Sequence, residues 1–178
     1  MERCDEQFYE DIVRLYPLAG GTMKHLLPET VRKDVVLLSE IQQGDGTTFA
    51  DMDAFRAWLG TKARFTEWET DEVFPLVLDQ PVQIKSERDS DINGFTYALT
   101  ITLELKEYGL AEKSIVRQIE RIGHDFVAEH EDGTLSLLRL FAPAQKITCD
   151  HSVGGDKYGA TVVVKMRNLN GMQVIGNG

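Results

Sequence analysis

Between Pro81 and Lys106 the chain reads PVQIKSERDSDINGFTYALTITLELK. Phe95, Tyr97, Leu99, Ile101, Leu103 and Leu105 alternate with Thr96, Ala98, Thr100, Thr102 and Glu104. Alternation held this long fits a strand with one buried face; a helix would return its apolar residues every third or fourth position. Such a strand extends about 35 Å at ~3.3 Å per residue, roughly twice the common length. Asn93-Gly94 stands just before it and suits the two positive-φ positions of a type I′ turn. Val82 and Ile84 open the opposing strand, which becomes charged from Lys85 to Asp91. The expectation is a long antiparallel hairpin with an apolar base and a charged arm. One small domain covers the edges of such a ribbon with difficulty, so completion by sister copies is expected. A ribbon enclosed by its own chain would overturn that expectation.

The rest of the chain reads as further short strands around two helices. Ile12–Tyr16 predicts a short strand or extended arm before Pro17, and Thr22–Leu27 a second strand stopped by Pro28. Val35–Ile41 (VVLLSEI) predicts a core strand, and Gln42–Thr47 a turn. Thr48 followed by Asp51 resembles a capping box; Phe55, Trp58 and Leu59 then share one side of a short helix that Gly60 stops. Arg64–Glu69 alternates as a strand, while Pro75 confines Val73–Leu78 to an edge or loop. Ala111–Ile122 carries one apolar stripe of Ile115, Val116, Ile119 and Ile122, with Glu112, Lys113, Arg117, Glu120 and Arg121 facing water, and Gly123 ends it. Asp132-Gly133 marks a second hairpin between Phe126–His130 and Thr134–Phe141. Ala144–Asp150 and Ala160–Arg167 predict two more strands, and Met172–Ile175 a terminal edge strand. The count is about eight strands and two helices, in an α+β domain of mostly antiparallel sheet. A single domain over 1–178 is expected: an N-terminal arm, strands and short helix over 1–72, then a β core over 73–178 containing the helix 111–122.

Charge bears on what such a domain can touch. The chain has 29 acids against 19 bases, a net charge of −10, which disfavours a grip on a phosphate backbone. Cys4 and Cys149 lie far apart without metal spacing, and fit either two free thiols in a reducing compartment or a single disulfide. The acidic start MERCDEQFYEDIV lacks the apolar segment of a secretory signal, and no apolar run reaches membrane-spanning length.

No motif predicts a catalytic or metal residue. His25, His124, His130 and His151 are scattered and form no zinc pattern. In Cys149-Asp150-His151 a strand would put the thiol and imidazole on one face and the carboxylate on the other. The loop Gly154–Gly159 lacks the phosphate-binding pattern and leads to no helix. Glu131-Asp132 and Asp89-Ser90-Asp91 read as solvated turn charges. An enzyme would need Glu129, His130, Asp132 and His151 to converge in one cleft. A small-ligand module would need a closed barrel with an apolar mouth.

From Val82 onward the order of elements resembles the tube-forming proteins of phage tails. The pieces that carry this are the hairpin Pro81–Lys106, the helix Ala111–Ile122 and the run FVAEHEDGTLSLLRLFAPAQKITCDHSVGGDKYGATVVVKM (Phe126–Met166), similar to tail proteins of phages and prophages of the Bacteroidetes type. The resemblance implies a β-sandwich or barrel with a long β-hairpin and one packed α-helix. It implies a non-enzymatic virion subunit without cofactor, held in the host cytoplasm before assembly and then in the tail. Its partners would be copies of itself in stacked, commonly hexameric rings and other tail proteins, with DNA passing unbound and no membrane contact. A tail terminator or head–tail connector is the neighbouring reading. Interface candidates on the hairpin are Val82, Ile84, Lys85, Arg88, Asp91, Phe95, Tyr97, Leu99, Ile101 and Leu103. Lumen-facing candidates are Thr96, Thr100, Thr102 and Glu104.

Overall fold

A computed structural model describes residues 6–68, 76–91, 94–140, 148–153 and 159–177. Its strands are β1 (Glu6–Ala19), β2 (Met23–His25), β3 (Val35–Leu37), β4 (Ile41–Gln43), β5 (Phe65–Thr66), β6 (Val82–Asp91) and β7 (Gly94–Leu105). After these come β8 (His124–His130), β9 (Leu135–Leu138), β10 (Thr148–Val153), β11 (Ala160–Asn168) and β12 (Met172–Gly176). The helices are α1 (Met52–Leu59) and α2 (Leu110–Ile122). The class is α+β, mostly antiparallel, as the patterning predicts.

Nine strands form one path, β10-β11-β7-β6-β1-β8-β9-β12-β3, with β5 attached to β1; β2 and β4 form a separate pair. The β12–β3 pairing is parallel. The path is open, so the barrel alternative is corrected. Its end strands, β10 and β3, do not pair, and β1, expected as a short strand or extended arm over Ile12–Tyr16, runs for 14 residues. The first half of β1 pairs with β6 (Glu6↔Glu87 to Ile12↔Val82) and the second with β8 (Ile12↔His130 to Ala19↔His124). Register shifts on either side of Ile12 mark the change of partner. Irregularities of this kind bend and twist a strand. Pro17 is accommodated because β8 is its strand partner there, while β5 reaches no further than Arg14 and Leu15.

Both halves of the bent sheet feed one core. Val82, Ile84, Leu99, Ile101, Leu103, Val162 and Val164 from one half join Ile12, Phe126, Ala128 and Leu138, with Val116 and Ile119 of α2. A second core lies on the other face of β8 and β9: Tyr16, Leu18, Val127, Leu135 and Leu137 meet Phe55 and Leu59 of α1 and Ile175. The half-sheet containing β8 and β9 is therefore covered on both faces. The β6–β7–β11 half keeps one face toward the first core and the other toward solvent.

Several expectations are revised. The run Val35–Ile41 breaks at a 3-10 turn, Leu38–Glu40, where the Glu40 carboxylate accepts from Leu37 N (2.9 Å) and Lys33 Nζ (2.7 Å). The two halves of that run consequently join different sheets. α1 starts later than predicted, because Asp51 caps it by accepting from Ala54 N at 2.8 Å. In α2, Glu112 is buried and accepts from Gly109 N, while Ile122 is exposed. β12 runs between β9 and β3, so it is an inner strand and not an edge. The described strands number twelve. Cys4, Pro75 and residues 154–158 lie outside the described residues, as do the side chains of Cys149, Asp150 and His151.

Candidate functional site

The hairpin forms with the predicted pairing, from Gln83↔Thr102 to Asp91↔Gly94. Its connection falls on residues 92–93, outside the described residues, with Gly94 already paired at φ 113°.

Along most of its length the ribbon is enclosed by its own chain. β1 lies along β6 from Glu87 to Val82, and β11 lies along β7 from Tyr97↔Asn168 to Leu105↔Ala160. Val82, Ile84, Leu99, Ile101 and Leu103 are each at most 1% exposed. These five interface candidates are core residues of the monomer, a correction that follows from strands lying on both sides of the ribbon. Tyr97 is half-buried on the same inner face, in register with Arg88 and Asn168. Lys85 is held by its own neighbours Glu6 and Glu87, at 2.6 Å each. These carboxylates hold its ammonium above the ordinary lysine range. Past Glu87 on β6 and before Tyr97 on β7 no described strand runs alongside the end of the ribbon, where Arg88 is half-buried and Arg167 bonds Asp89 and Thr96. The side chains of Asp91 and Phe95 lie outside the described residues.

The lumen candidates do share the outward face. Thr96, Thr100, Thr102 and Glu104 are half-buried there, each flanked across the sheet. Thr100 stands between Lys85 and Lys165, Thr102 between Gln83 and Val163. Thr161 Oγ1 donates to Glu104 at 2.8 Å, and Arg167 donates to Asp89 at 2.8 Å and to Thr96 at 3.4 Å. Charges of both signs cross-pair over small hydroxyl side chains. The face is mostly polar and carries charges of both signs.

Of the groups named for an enzyme, the described Glu129, His130 and Asp132 do not converge, and the side chain of His151 lies outside the described residues. Glu129 pairs with Arg14 and Arg56, whereas its neighbour His130 points to the other side of β8. Asp132 accepts from Thr134 N in the turn, and this bond holds its carboxyl below the usual range. A relay that the sequence does not announce joins Asp11, His130 and Ser136. His130 Nδ1 is 3.1 Å from both Asp11 carboxylate oxygens, and Nε2 is 2.7 Å from Ser136 Oγ. Its order matches a nucleophilic triad, but Ser136 is 4% exposed and lies between Ala128 on β8 and Val174 on β12. A reacting carbonyl has no place beside Oγ. The arrangement satisfies three polar groups and ties β1, β8 and β9 together. The lone serine in Leu135–Leu138 was its faint sequence signal; Asp11 lies 119 residues from His130 and gave none.

A second polar cluster surrounds a cavity of about 20 Å³, bordered by His25, Lys33, Glu40 and Arg139 and sized for about one water. Beside it His25 Nε2 is 2.7 Å from Asp125, and Arg139 pairs with Glu29 at 3.2 Å. Among the described residues no group of three metal-binding side chains converges, and no described helix is long and apolar enough to cross a membrane. Comparison with protein-family models, curated proteins and solved structures gives no match.

Proposed function

We propose that this chain is a non-enzymatic structural subunit of a phage or prophage tail, one that associates with copies of itself. The observation that carries the reading is the outer face of β6, β7 and β11: a polar wall of threonines with its charges cross-paired. In a ring, such a wall would face the channel and let a polyanion slide past, since no row of unpaired cations invites counterion release. The overall charge of −10 acts in the same direction. The order of hairpin, helix and further hairpin resembles the tube-forming proteins and supports the tail assignment.

The mode of association differs from full-length hairpin pairing. Because β1 and β11 occupy the ribbon's flanks, copies would meet through the end of the ribbon, the outer edge of β10 or surfaces beyond the sheet. The test is sedimentation together with electron microscopy of the full chain, alone and with a tail-tip partner. Rings or stacked tubes are expected. A strict monomer at high concentration in both conditions would overturn the proposal, and single rings that never stack would favour the terminator or connector.

A further inference from the structure

β1 is held in two unlike ways. From Arg14 to Ala19 it pairs with β8, and Leu15, Tyr16, Pro17 and Leu18 are buried. From Glu6 to Glu10 the same strand is an arm. Glu6, Gln7, Phe8 and Glu10 are exposed, Phe8 at 66%, and only Tyr9 packs against the first core. Among the described residues the arm's ladder runs along β6 alone, from Glu6↔Glu87 to Tyr9↔Ile84. A joint separates the two parts. Between Tyr9↔Ile84 and Ile12↔Val82, Glu10 and Asp11 stand against the single residue Gln83, and Val13 is the extra residue on the β8 side. Asp11 belongs to the fixed part: its carbonyl accepts from Glu131 N at 2.8 Å, and its carboxylate lies 3.1 Å from His130 Nδ1. The exposed Glu10 is therefore where the arm turns.

β6 reads the arm through one residue. Lys85 lies opposite Phe8, with its Nζ 2.6 Å from both Glu6 and Glu87 and 5.6 Å from the centre of the Phe8 ring. That ammonium selects the register, because a slip of one residue would carry Glu6 and Phe8 to the other face. The contacts that hold the arm all lie within it or between it and the body on which it rests. A sister copy's arm, laid on the same β6, makes every one of them equally well. A β6 whose own arm has swung away is an unpaired edge, which recruits a matching strand.

We infer that copies of this chain associate by exchanging this arm, the Glu6–Glu10 segment of one lying on β6 of the next in the register seen within one chain. Closed and exchanged forms share their contacts, so concentration decides between them. Each copy gives one arm and receives one. Such a contact joins different patches on each partner and generates rings or open stacks, whereas reciprocal exchange gives two-fold dimers. Glu6 to Glu10 spans about 13 Å at ~3.3 Å per residue, so the receiving β6 lies flank to flank with the donor. The ribbon keeps a β1 arm on its flank in either form, which is consistent with an enclosed ribbon. The inference rests on the self-association proposed above and names a contact for it.

Disulfide trapping in the full chain tests the exchange, with Cys4→Ser and Cys149→Ser as background. Gln7 and Ser86 are direct partners in the ladder, at a spacing that a disulfide spans. Chains carrying Gln7→Cys alone and chains carrying Ser86→Cys alone are mixed at a concentration where the wild type associates, and the products are told apart by mass without reductant. A covalent dimer joining the two variants is expected. It should be lost when Gln83→Cys replaces Ser86→Cys, since Gln83 is exposed but lies opposite the joint. A dimer formed equally with Gln83→Cys reports chance collision and overturns the exchange. No dimer from variants that still associate also overturns it, and leaves self-association standing. The double variant Gln7→Cys with Ser86→Cys, kept dilute, should close its disulfide within one chain; failure to close removes the register and the exchange with it. A wild type that sediments as a monomer at every concentration overturns exchange and assembly together.

Discussion

His124 sits where burial disfavours its charged form. It opens β8, is 4% exposed, and its Nδ1 has no hydrogen-bond partner among the described residues. Burial lowers its pKa below the ordinary histidine value, against the opposing pull of Asp125 and of a bond with the Gly123 backbone. The folded state therefore refuses a proton that the unfolded chain accepts below about pH 6.5. Stability contributed by neutral His124 is present above that value and declines as the pH falls through it. Glu29 works in the other direction. Burial raises its pKa despite a bond from Leu169 N and the charge of Arg139, so its contribution declines as the pH rises from about 4.5 through the folded value. Urea midpoints measured from pH 5 to 7 should rise with pH in the wild type. They should rise less in His124→Leu and more steeply in Glu29→Gln, which keeps an acceptor for Leu169 N. An unchanged slope in His124→Leu would show that another group sets the acid limb.

Among the elements, the junction of α2 with β8 is the most sharply determined. Gly123 has φ 76° and ψ 149°, a conformation essentially restricted to glycine. A Cβ at this position would come within 2.8 Å of Leu140 Cδ2. Gly123→Ala should cost about 1–3 kcal/mol or more in stability by chemical denaturation, and a neutral result would mean the turn relaxes freely. This stop was legible in sequence, as were the Asp132-Gly133 hairpin and the long ribbon, because each depends on local spacing and turn chemistry. What escaped was decided by distant partners. Nothing near Ile12 says that β1 changes partner there, and an apolar run such as Val35–Ile41 does not show that Val36 will face Ile175 while Ile41 faces His25. Glu112 was assigned to solvent from its chemistry, yet the need to cap α2 turns it back toward Gly109 N.

At the scale of the whole molecule, the question is whether the ribbon serves its own chain or its neighbours. Alternation gives the same signal for a face buried in a monomer and one buried between copies, so sequence could not separate the two. The structure places Ile101 at 0% exposure in the first core, in register with Ile84 and Val164. Ile101→Ala should therefore destabilise the dilute monomer by about 2–5 kcal/mol, the range for deleting a buried aliphatic side chain. Thr100→Ala, one position away on the wall, should change monomer stability by less than about 0.5 kcal/mol. An interface role for Ile101 predicts the reverse order, with little effect at low concentration and a large loss of assembly at high concentration. Urea unfolding of both variants below the association threshold decides between them, and equal midpoints for Ile101→Ala and wild type would return the ribbon to its neighbours.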